Sequence, residues 1–98
     1  MISLDVIKET IEPITSELGL KKVIVFGSYA RGDQTEDSDI DLVFDSQGAL
    51  NGFDIFCAIG RLQEALPIKS DIFEISEIKN PSPTYTAIIK EGVVIYES

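Results

Sequence analysis

The chain has 98 residues, 44% of them hydrophobic and 26% charged, with four Pro and seven Gly; this is the balance of an ordinary small globular protein and excludes disorder and collagen-like repeats. Eight Lys and Arg against 17 Asp and Glu leave a net charge of −9, the wrong sign for gripping nucleic-acid phosphates or an anionic membrane surface. There is no His, which removes imidazole bases and ordinary zinc sites.

The expected organisation is a single domain over residues 1–98. Met1-Ile2-Ser3-Leu4-Asp5 lacks the basic and apolar regions of a signal peptide. No apolar run approaches the ~20 residues of a membrane span. Leu4, Ile7, Ile11, Ile14 and Leu18 recur at three- and four-residue steps, which predicts an amphipathic helix from Ser3, its N-cap, to Leu18. Gly19 stops it, and Pro13 is a point where it can kink. Lys22-Val23-Ile24-Val25-Phe26 then reads as a central strand that halts at Gly27-Ser28.

A polar, turn-rich stretch follows to Ser38, after which Ile40, Leu42 and Phe44 alternate with Asp39, Asp41, Val43 and Asp45 as a second strand. A turn spans Gly48 to Gly52. Phe53, Phe56, Ile59, Leu62 and Leu66 repeat at helical spacing, and Pro67 ends that helix. Cys57, the only thiol, lies in this apolar run; core packing is expected for it, no intrachain disulfide can form, and a reducing cytoplasm is the expected compartment. Asp71 to Ile75 reads as a third strand, Thr84 to Lys90 as a last helix capped by Gly92, and Val93 to Tyr96 as a terminal strand. The fold class expected is α/β (α+β), a small mixed sheet backed by helices.

Two features carry chemistry. Residues two apart on a strand share a face, so Asp39 and Asp41 present two carboxylates about 7 Å apart, while Ile40, Leu42 and Phe44 hold the register from the other side. Such a pair suits a hard divalent cation; a solvated polar strand face is the plainer alternative. A calcium-loop reading of Asp37, Asp39 and Asp41 fails, because Leu42 and Gly48 stand where Gly and Glu are required. Gly27-Ser28, at the end of a strand and opening a short helix, offers backbone N–H groups and a hydroxyl to a phosphate.

Gly27-Ser28-Tyr29-Ala30-Arg31-Gly32, followed by Ser38-Asp39-Ile40-Asp41-Leu42, resembles the two-part signature of the polymerase-beta-type nucleotidyltransferases, in particular their minimal (MNT) branch. The resemblance implies that Gly27 and Ser28 hold a nucleoside triphosphate, that Asp39 and Asp41 bind two magnesium ions, and that a third carboxylate on a neighbouring strand completes the site. Asp71 matches that third position, with Glu74 as runner-up. Arg31 either faces the phosphates or anchors its loop through Asp33 or Asp37. The implied reaction is metal-assisted transfer of AMP from ATP. The resemblance further implies an antitoxin acting on a tyrosine of a helical HEPN-type toxin partner, as a hetero-oligomer and without nucleic acid or membrane. A nucleotide-binding or partner-binding module without catalysis, and an antibiotic-modifying nucleotidyltransferase, are the alternatives. Tyr29, Tyr85 and Tyr96 are candidates for base stacking, with packing the plainer role.

Overall fold

The structure is a computed structural model and describes residues 2–98; Met1 lies outside the described residues. Helix α1 spans Leu4–Leu18, with the Ser3 side chain accepting from the Val6 N–H at its start and Gly19 in the left-handed conformation at its end. Pro13 sits inside this helix. Strand β1 is Lys22–Phe26, helix α2 Ser28–Arg31, strand β2 Ile40–Asp45, helix α3 Gly52–Ala65 and strand β3 Ser70–Glu74. A short 3₁₀ turn at Ile75–Glu77, helix α4 (Pro83–Glu91) and strand β4 (Val93–Glu97) complete the chain.

The sheet has the order β3-β2-β1-β4. β1 is antiparallel to β2 and to β4, whereas β2 and β3 are parallel, as the crossover through α3 requires. One face carries Val23, Val25, Leu42, Phe44 and Ile72 and packs against Ile7 and Ile11 of α1 and Ala58 and Leu62 of α3. The other face is covered only in part. There Phe26 and Val43 pack with Ile88 of α4, flanked by Ile24, Ile75 and Ile78. The uncovered end of this second face is where the carboxylates stand. Among the described residues no helix is long and apolar enough to cross a membrane.

Two expectations are corrected in α3. Its buried arc is Ala58 and Leu62 with Ile55 and Ile59 beside them, whereas Phe53 and Phe56 are 73% and 75% exposed. Cys57 is exposed rather than in the core. At 100° per residue, Cys57 falls on the outer arc with Phe53 and Phe56, opposite the arc that Ile55 and Leu62 define. The helix carries apolar residues on two sides, and the sheet takes only one.

Strand β3 begins one residue earlier than the pattern suggests and ends at Glu74. Glu74 is thereby on the core side, paired with Phe44, and is 3% exposed. Its Oε2 accepts from the Ser46 N–H and hydroxyl at 2.9 and 3.0 Å, and its Oε1 accepts from the Ser76 N–H at 2.8 Å. Burial pushes this carboxyl up, but the hydrogen bonds from Ser76 and Ser46 outweigh it and hold the group below its ordinary value. Glu74 is therefore a structural anchor and not a third site carboxylate. A group with a lowered pKa stabilises the fold fully above its unfolded value, and that contribution disappears as the pH falls through the folded value. Glu74→Gln, which turns an acceptor into a donor beside Ser46, should cost about 1–3 kcal/mol at neutral pH. The difference from wild type should shrink in acid, as followed by thermal melts across pH.

Gly92 ends α4 at φ −61°, an ordinary conformation. Its need for glycine is steric: an added Cβ would meet the Ile88 carbonyl and the Ile24 side chain.

Candidate active site

The site lies where β1 and β2 end side by side. β1 stops at Phe26, which pairs with Asp41, so the turn after β1 is delivered directly beside the acidic end of β2. Gly27 takes φ 75° and ψ −151°, a backbone region essentially restricted to glycine. Its carbonyl accepts from the N–H groups of Ala30 and Arg31, both at 3.1 Å, which winds α2. A side chain at this position would run into the Asp41 carboxylate. The glycine turn and the paired aspartates, separate in sequence, are in contact in space.

Asp71 is the direct β3 partner of Asp41. Asp39, expected within the strand, lies one residue before β2 begins at Ile40, and its charge still reaches Asp41. Adjacent strands are about 4.8 Å apart, so Asp71 joins the other two carboxylates at the open end of the sheet. Burial, then the charges of Asp71 and Asp39, push the Asp41 carboxyl above its ordinary value, and the opposing pull of Arg31 is smaller. Lys69 Nζ lies 3.6 Å from Asp39 Oδ2. Lys69 thus pairs with Asp39, while burial and its acidic neighbours still outweigh Arg31 at Asp41.

Among the described residues no three carboxylate or thiol groups are close enough, as placed, to enclose one ion. Magnesium needs only one or two protein carboxylates, since it completes its octahedron with phosphate oxygens and water. Hard oxygen donors, mutual repulsion and an open side toward Gly27 fit a divalent cation brought in with a nucleotide. Asp39 and Asp41, with Asp71 beside them, are the residues that could hold it.

Ser28, the first residue of α2, is half-buried. The Arg31 guanidinium reaches Asp33 Oδ2 at 3.1 Å through Nε and Glu91 Oε2 at 2.8 Å through Nη1. It ties the α2 loop to the end of α4, through Asp33 and not Asp37, and its charge also reaches Asp41. Glu91 was not found from sequence, because a contact spanning 60 positions leaves no local signal. Tyr29 is 1% exposed within the core, so its ring is a packing element rather than a base platform.

Residues 9–98 match the family described as Polymerase beta, Nucleotidyltransferase. A relative from Methanocaldococcus jannaschii named a putative protein adenylyltransferase is 35% identical over 85 residues, covering 83% of this chain and 87% of the relative. Among solved structures, a chain of a toxin–antitoxin pair with AMP-PNP superposes with a TM-score of 0.75 at 19% identity, over 93% of this chain and 73% of that one. A chain of the tri-AMPylated Shewanella oneidensis HEPN toxin in complex with MNT antitoxin superposes with a TM-score of 0.71 at 15% identity, over 97% of this chain and 73% of that one. At such identities these two establish the fold. The family match and the curated relative together cover nearly all of the sequence, and the chain belongs to the polymerase-beta nucleotidyltransferase family.

Proposed function

We propose that this chain moves AMP from magnesium-bound ATP to a hydroxyl of a separate helical protein, a tyrosine of a HEPN-type toxin, and so acts as an antitoxin. The observation that supports the reading is that a side chain at Gly27 would run into the Asp41 carboxylate, so the glycine turn and the acidic end of β2 are immediate neighbours. The relative named as a protein adenylyltransferase and the structural neighbours containing AMP-PNP or an AMPylated HEPN toxin support the choice of nucleotide and partner.

Bound magnesium supplies Lewis-acid stabilisation of phosphate charge and of the attacking oxygen. The chain's own residues do the positioning. The N–H groups around Gly27-Ser28 and the Ser28 hydroxyl receive the β- and γ-phosphates. Asp39 and Asp41 would hold the magnesium that accompanies the nucleotide, and Asp71 would complete the acidic side of the site. The acceptor oxygen forms a bond to the α-phosphorus, the bond to the bridging oxygen breaks, and pyrophosphate departs with that electron pair. The acceptor proton is released to water. No imidazole base is required.

Intact-mass spectrometry of a HEPN-type protein co-expressed with this chain is expected to show one or more added adenylyl groups. The increment should vanish with Asp39→Asn. An unmodified partner, together with efficient adenylylation of aminoglycosides, would replace this reading with the antibiotic-modifying one.

A further inference from the structure

The acceptor side of the site contains a group that the donor chemistry does not use. The sheet order β3-β2-β1 places the phosphate cradle at the end of β1, the metal carboxylates on β2, and Asp71 on β3, the edge strand farthest from the cradle. In an in-line displacement the attacking and leaving oxygens lie on opposite sides of the phosphorus. With pyrophosphate held at Gly27-Ser28, the attacking hydroxyl must arrive over β3. The next residue after Asp71 on the same strand face is Phe73.

Phe73 is 36% exposed. Its inner edge is propped by Phe26, with ring centroids 6.4 Å apart and planes inclined at 41°. Beyond it runs a shallow groove of about 270 Å³ lined by Glu77, Ile78, Lys79, Ser82 and Thr84. That is below the ~300–1,000 Å³ of usual small-molecule sites.

We propose that Phe73 and this groove form the acceptor subsite, and that the exposed phenyl ring selects an aromatic acceptor, a tyrosine rather than a serine or threonine. The inference rests on the protein-adenylylating reading above. A phenol whose hydroxyl is at Asp71 extends its ring toward Phe73, and the Phe26 contact keeps that platform in place before the acceptor arrives. An aliphatic hydroxyl at the same point leaves Phe73 wet.

The test uses the full chain with MgATP and two synthetic peptides, one carrying a single tyrosine and the other serine in its place. Wild type should modify the tyrosine peptide in preference to the serine peptide. Phe73→Ala should raise KM for the tyrosine peptide about tenfold, the scale of one aromatic contact, and erode the preference. MgATP affinity measured by calorimetry should stay unchanged, and Phe73→Tyr should restore KM. An unchanged KM in Phe73→Ala, or a loss of MgATP affinity with KM unchanged, overturns the acceptor subsite alone. Wild type that binds MgATP but modifies neither peptide overturns the subsite together with the reading beneath it.

Discussion

Replacing Asp41 with Asn should lower AMP transfer by about 10²–10³-fold or more, the scale of deleting a preorganised charge at a reacting phosphate, while making the metal-free protein more stable. The two effects share one cause. Asp41 is partly buried against Gly27 and faces Asp71 and Asp39, so its carboxyl is held above the ordinary value. A raised pKa means that the folded state binds the proton more tightly than the unfolded chain does. The penalty is therefore absent below the unfolded value and grows as the pH rises through the folded one. At neutral pH wild type bears that penalty and Asp41→Asn does not. Thermal melts without metal should place the variant above wild type near neutrality, with the gap closing in acid. Magnesium with ATP should reverse the order by stabilising wild type alone. Near-normal turnover by the folded variant would remove Asp41 from the site.

Gly27→Val should abolish MgATP binding, whereas Ser28→Ala should weaken it by about 1–3 kcal/mol, the worth of one hydrogen bond to a charged group. Sequence alone attributes the valine effect to loss of space for a phosphate oxygen. The structure adds two stronger reasons. The backbone at φ 75° and ψ −151° excludes a β-branched residue, and the new Cβ would displace the Asp41 carboxylate. The variant should lose the metal and phosphate halves of the site together, so calorimetric titrations with magnesium–ATP should show no heat of binding. Wild-type affinity in Gly27→Val would reject the cradle.

Much of this site was readable because its parts sit on strongly patterned strands. The apolar run of β1 fixes where Gly27 falls, and the Ile40, Leu42, Phe44 alternation sets the face of Asp41, while Asp39 lies just before the strand. Asp71 came from the family resemblance, by its position on the third strand. The alternation also separates Glu74 from Asp71, but only once the strand is known to begin at Ser70. Helix α3 was less legible. Phe53 and Phe56 keep the same three-residue step as the partly buried Ile59 and the buried Leu62, so spacing alone does not identify which arc meets the sheet, and Ala58 at its centre is too small to mark it. The caps at Asn51 and Ser82 were hidden among turn residues, although each accepts from the N–H three positions on. The Arg31–Glu91 pair joins distant parts of the chain, and no periodicity reports it.

We propose that Gly27, Ser28, Asp39, Asp41 and Asp71 form a donor site that transfers the α-phosphoryl group of ATP with its nucleoside. The decisive experiment gives the chain and a HEPN-type protein ATP labelled at either the α- or the γ-phosphorus and follows which label becomes protein-bound. The α label is expected on the HEPN-type protein with stoichiometric release of pyrophosphate, the γ label is not, and both the α label and the pyrophosphate should disappear in Asp39→Asn. Transfer of the γ label, or α labelling that persists in Asp39→Asn, would contradict the proposal.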